Sequence, residues 1–132
     1  MSEKQAKYNQ KPKEILISEL GKLPPQAIEL EQAVLGALLI EPESYLKICD
    51  TLKPESFYKD EHQKIFASIS DLIKRSLKVD ILTVKDDLRS KGNLEAVGGA
   101  YYITQLTNNI ASSSHIEIHS NIIQDKFVKR EL

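Results

Sequence analysis

Cysteine is nearly absent: Cys49 is the one thiol in 132 residues. That excludes an internal disulfide framework and every metal site built from several cysteines. Neither sign of charge is in excess, because 18 Lys and Arg stand against 19 Asp and Glu for a net charge of −1. A surface built chiefly to neutralise phosphates is therefore excluded. No apolar run approaches the roughly 20 residues that cross a bilayer. The opening MSEKQAKYNQKPKE also lacks the apolar stretch of a signal peptide. The expectation is a soluble, cytoplasmic protein with no membrane contact.

What is present is helical periodicity. Residues 1–23 are polar and Lys-rich, broken by Pro12 and Gly21, and read as a flexible leader in which only EILISEL can pack. After Pro24 and Pro25, Ala27, Leu30, Val34, Ala37 and Leu38 recur at helical spacing, with Ile28, Leu35 and Leu39 widening the stripe. Gly36 in the middle of that helix costs about 1 kcal/mol against Ala and suggests close approach of another helix. YLKICDTL predicts a short second helix, with Cys49 as a core residue. Asp60 with Gln63 predicts an N-cap and its reciprocal partner for a third helix, whose stripe is Ile65, Phe66, Ile69, Leu72, Ile73 and Leu77. Thr83 with Asp86 predicts another such box, opening a helix that Gly92 closes at C′. Ser114 with Glu117 predicts a third, heading a helix that runs to Leu132. KVDILTV and AYYITQL hold β-branched and aromatic residues and are the alternative strand candidates, although neither is bounded by hairpin turns. Val34, Leu38, Ile65, Phe66, Ile69, Leu72, Ile73, Leu88 and Leu106 form the expected core.

Chemistry is harder to find. A phosphate-binding loop needs G-x-x-x-x-G-K-[ST], and here Gly98-Gly99 precedes Ala100-Tyr101. GNLEAVGG also lacks dinucleotide-binding spacing. The glycines read instead as a helix stop at Gly92 and a tight entry into the next helix at Gly98 and Gly99. His115 and His119 stand at i, i+4 but supply only half a zinc site. His62 reads as a packed or hydrogen-bonded histidine without a nucleophilic partner. The pairs Glu29/Glu31 and Asp86/Asp87 share no helix face and read as solvated surface. No catalytic, cofactor-binding or metal constellation is expected.

The order of the blocks LPPQAIELEQAVLGALLIEPES, FY followed by HQKIF, VDILTVKDDLRSKGNLEAVGGAYYITQL and SSSHIEIHSNIIQDKFVKREL resembles the N-terminal domain of the bacterial replicative DNA helicase of the DnaB type. The resemblance runs from about Leu23 to Leu132. It implies an all-α fold: a compact head of about five helices over 24–112, then the first helix of a long hairpin over 113–132, cut short. It also implies a full-length ring hexamer that unwinds DNA at the replication fork. ATP and magnesium would serve only a C-terminal motor domain absent from this chain, and DNA would be met only through the ring. The domain's implied role is self-association together with docking of DNA primase and a helicase loader. Pattern positions carried over, mostly structural, are Pro24, Pro25, Glu29, Glu31 and Gly36; Phe57, Tyr58, His62 and Phe66; and Asp80, Thr83, Leu88, Gly92, Leu94, Gly98 and Gly99.

On the last helix Ile116, Ile123 and Phe127 form an apolar stripe, with Ile118 and Ile122 as a smaller pair. Ile116, Ile122, Ile123 and Phe127 are the expected oligomer and partner interface, giving a dimer of the fragment. The competing reading is a small helical DNA-binding protein that uses the basic QDKFVKR. Asp125, Glu117 and Glu131 on the same helix weigh against it.

Overall fold

The computed structural model describes residues 27–108 and 113–132. Pro24, Pro25 and the leader expected over residues 1–23 lie outside them. Among the described residues there are five α-helices and two 3₁₀ turns, and no strand: α1 Ile28–Ile40, 3₁₀ turns Pro42–Lys47 and Pro54–Ser56, α2 Asp60–Lys74, α3 Ile81–Ser90, α4 Gly99–Asn108 and α5 Ile116–Glu131. The strand candidates are helical instead, since ILTV opens α3 and YYITQL lies in α4.

α1 is the central element. Every residue from Val34 to Leu39, Gly36 included, is buried, as expected of a helix apolar on all sides. It packs against α5, α4, α2 and the first 3₁₀ turn. The following segment departs from expectation. Pro42 starts a 3₁₀ helix rather than an α-helix, and its backbone closes i→i+3 bonds such as Ile48 N–H to the Tyr45 carbonyl. The tighter winding sends Tyr45, Ile48 and Leu52 inward and leaves Cys49 only half-buried.

α2 is capped one residue earlier than expected. Lys59 is its N-cap, Asp60 is its first helical residue, and the Gln63 amide donates to the Phe57 carbonyl at 2.7 Å. Asp60 and Glu61 still complement the helix dipole from the first turn. The helix ends in a Schellman motif: the Ser76 N–H reaches the Ile73 carbonyl, the Leu77 N–H reaches the Leu72 carbonyl, and Ser76 takes φ 60. α3 is capped three residues earlier than expected. Asp80 Oδ1 accepts from the Thr83 N–H at 2.9 Å and Thr83 Oγ1 accepts from the Asp80 N–H at 2.9 Å. Gly92 closes α3 as predicted, at φ 76, with Gly92 N–H to Arg89 and Asn93 N–H to Leu88.

Eight of the nine expected core residues are buried, and Ile73 packs partly against the rest. Phe66 lies with its ring centroid 4.9 Å from that of Phe57 and 6.0 Å from that of Tyr45. α5 takes His115, not Ser114, as its N-cap. It lays Ile116, Ser120 and Ile123 into the head against α1.

Candidate functional site

Two carboxylates read as solvated from sequence are buried. Glu31 on α1 is 1% exposed. It accepts from His62 Nδ1 at 2.7 Å, from the Tyr58 N–H at 2.6 Å and from the Lys59 N–H at 3.4 Å. On the far side of the imidazole, Nε2 lies 2.6 Å from the Tyr102 hydroxyl, which also accepts from the Gln32 amide at 3.2 Å. The assignment that satisfies every atom has Nδ1–H donating to Glu31 and the Tyr102 O–H donating to Nε2. A carboxylate, an imidazole and a phenol in line resemble a catalytic relay. His62 is fully buried and its two partners come from the other two helices, so what the geometry shows is a clamp that holds α1, α2 and α4 together. Helix spacing tells only which neighbours on one helix face each other; it gave no sign of this partner 31 residues away.

Asp87 is the second correction. It accepts from Ser68 Oγ at 2.6 Å and pairs with Lys91 at 2.9 Å and Arg75 at 3.4 Å, tying α3 to α2. Lys91 also holds Asp71, whose carboxyl is kept below the usual range by that hydrogen bond. Glu29 and Asp86 are exposed, as expected.

The Gly98 N–H is committed to the Glu95 carbonyl and the Gly99 N–H to the Leu94 carbonyl. Both glycines have positive φ. A Cβ at Gly98 would fall 2.9 Å from Cβ of Tyr102, so the residue leaves room for the clamp. His115 and His119 neighbour each other with ring centroids 6.1 Å apart. Among the described residues no group of three His, Cys, Asp or Glu is placed to hold a metal.

α5 divides the expected interface. Ile116 and Ile123 are buried in the chain's own core and present nothing to a partner; that part of the stripe folds back on its own head. Phe127 is half-buried, and the Arg130 guanidinium lies 5.8 Å from its ring centroid and 5.2 Å from that of Tyr58. Arg130 also donates to the Ser56 carbonyl at 3.1 Å, and Ser56 Oγ donates to Gln124 at 2.9 Å. Ile118, Ile122 and Val128 remain outward. Within the basic QDKFVKR, Lys129 pairs with Asp125 and Arg130 turns onto the head.

The second apolar surface was not legible in sequence. A groove of about 640 Å³ runs beside the end of α1 between Leu39, Ile40, Leu46, Ile73 and Leu77. Through Leu39, Ile40 and Asp80 it continues into a hollow of about 450 Å³ that reaches Leu82.

These features sit on a fold with relatives. The model of the DnaB-like helicase N terminal domain matches residues 23–125. The chain is 46% identical over 115 residues to the replicative DNA helicase DnaB of Rhodothermus marinus, covering 87% of this chain and 12% of that protein. It is 39% identical over 111 residues to the replicative DNA helicase DnaC of Bacillus subtilis (strain 168), covering 84% of this chain and 24% of that one. The chain thus spans a minor part of these relatives' length. The crystal structure of the N-terminal domain of DnaB helicase from Mycobacterium tuberculosis superposes with TM-score 0.81 at 31% identity, over 83% of this chain and 79% of that one. The structure of a DnaB-like replicative helicase, described with its interactions with primase, superposes with TM-score 0.70 at 31% identity, over 80% of this chain and 25% of that one.

Proposed function

The chain belongs to the DnaB-like helicase N-terminal domain family, and from that premise we propose that it is the self-association and partner-docking head of a replicative DNA helicase. The full-length protein is then a ring hexamer that unwinds duplex DNA at the fork with ATP. ATP and magnesium belong to a motor domain outside this chain, DNA is contacted through the assembled ring, and the work is done in the cytoplasm. The head's partners are other copies of itself, DNA primase and a helicase loader.

The observation that carries this reading is the division of α5. One side is fixed in the head through Ile116 and Ile123, while Ile118, 59% exposed, and Ile122 and Val128 face outward. Apolar side chains at i, i+4 and i+10 on one exposed helix serve an interface better than they serve water. Phe127, one turn beyond the buried Ile123, lies on the head side of α5 under Arg130. The proposed interface is therefore Ile118, Ile122 and Val128.

Sedimentation velocity tests the proposal. The chain is expected to self-associate as concentration rises and to form a heavier complex with the C-terminal domain of the cognate primase. Ile118→Asp with Ile122→Asp should weaken self-association at least tenfold while leaving the circular dichroism spectrum unchanged. A monomer at every concentration that also ignores primase would overturn the reading.

A further inference from the structure

His62 has both ring nitrogens committed, to Glu31 and to Tyr102. The other two histidines differ. Neither His115 nor His119 makes a hydrogen bond or an ion pair among the described residues, and their rings stand side by side with centroids 6.1 Å apart and planes at 48°. The His119 N–H donates to the His115 carbonyl at 3.0 Å. The two therefore lie one helical turn apart, and their side chains leave the backbone on the same side. Ile118 and Ile122, three and seven positions after His115, are 59% and 37% exposed. That side of α5 faces outward, with His115 exposed and His119 half-buried, so an ion in solution reaches both rings.

We propose that His115 and His119 chelate one divalent ion of the late first transition row, Cu²⁺ or Ni²⁺, through one nitrogen of each ring. Metal–nitrogen bonds of about 2.0–2.1 Å in neighbouring coordination positions set the ring centroids about 5 Å apart. The rings then need to close by about 1 Å from their present separation, a movement within the broad second torsion of histidine. Two imidazoles suit a tetragonal ion whose other positions take water; they do not complete the four-ligand shell of a structural zinc. The second imidazole of a tethered pair meets the ion at an effective concentration of about millimolar or more, so the chelate outlasts either contact alone. Burial of His119, and after it the neighbouring His115, favours the neutral ring, which is the form that binds metal. The dipole of α5 opposes a cation at this end of the helix, and Glu117 in the same first turn offsets it.

Copper titration of the untagged chain tests this, with Cys49→Ser in every sample so that no thiol competes. Calorimetry should show one Cu²⁺ per chain, weaker binding of Ni²⁺ and none of Mg²⁺. The electron paramagnetic resonance spectrum of the copper complex should be tetragonal, with splitting from two imidazole nitrogens. His115→Gln and His119→Gln should each weaken Cu²⁺ by about tenfold or more and reduce that splitting to one nitrogen. Ni²⁺ should raise the thermal midpoint of the parent chain and of neither variant. Copper held as tightly by both variants as by the parent would overturn the proposal. So would a loss confined to one of the two substitutions, or a parent spectrum that shows a single nitrogen.

Discussion

Glu31→Gln is the sharpest probe of how the head is held together. The carboxylate receives two short hydrogen bonds, from the Tyr58 N–H at 2.6 Å and His62 Nδ1 at 2.7 Å, and one long one from the Lys59 N–H at 3.4 Å. A glutamine of the same shape keeps one oxygen and turns an N–H toward the second donor. One buried donor is then stranded, at about 1–3 kcal/mol, and the surviving bond loses the roughly 1 kcal/mol that an ionised acceptor adds. The expected loss is about 2–4 kcal/mol, read as a lowered urea midpoint at unchanged m. For a domain of this size that corresponds to about 4 °C per kcal/mol in Tm. Tyr102→Phe removes only the outer link, leaving His62 Nε2 and the Gln32 amide without the hydroxyl, and should cost about 1–2 kcal/mol. Because both changes act through one imidazole, the double variant should deviate from additivity by about 0.5 kcal/mol or more. A Glu31→Gln loss below about 0.5 kcal/mol, or strict additivity, would refute the clamp as the joint between α1, α2 and α4.

Two further outcomes follow from local geometry. Ser76 occupies the left-handed C′ position of α2 at φ 60, so Ser76→Gly should stabilise the head by about 0.5–1 kcal/mol while Ser76→Ala should not; equal midpoints for the two variants would count against this. Burial, and after it the neighbouring His115, holds the pKa of His119 below 6.5. The unfolded chain therefore takes up that proton first as pH falls, and stability should decline from about pH 7 down to the folded-state pKa. His119→Gln should flatten that part of the stability curve, and a slope identical to that of the parent chain would show that His119 plays no part in it.

The helices and the core were legible because both depend on local periodicity. Val34, Leu38, Ile65 and Phe66 announce their burial by spacing alone, and Gly92 announces its C′ position by following the last turn of α3. The caps were less legible. Asp80 and Thr83 satisfy the same reciprocal geometry as the expected Thr83 and Asp86 pair, and only the path of the chain after Val79 decides between them. Glu31 and Asp87 were misread because short-range spacing records which side chains share a helix and is blind to donors brought in by other helices. The same blindness hid the groove, whose walls come from α1, the first 3₁₀ turn, α2 and the start of α3. On α5 the periodicity identified an apolar side correctly but not its occupant, which is α1 of the same chain.

The anchoring of α5 has a mechanical consequence. It is fastened at Ile116 in the core and again at Arg130, which grips the Ser56 carbonyl and rests on the Tyr58 ring. No turn of it lies free between those two fixings to act as a hinge. A torque applied at its outer end is delivered to α1 and to the Pro54–Ser56 turn instead of being absorbed at a joint. Tyr58 is in turn held through its backbone by Glu31, so the load continues into the clamp on His62. Head and arm therefore rotate as one piece, and a swing of either is a swing of both.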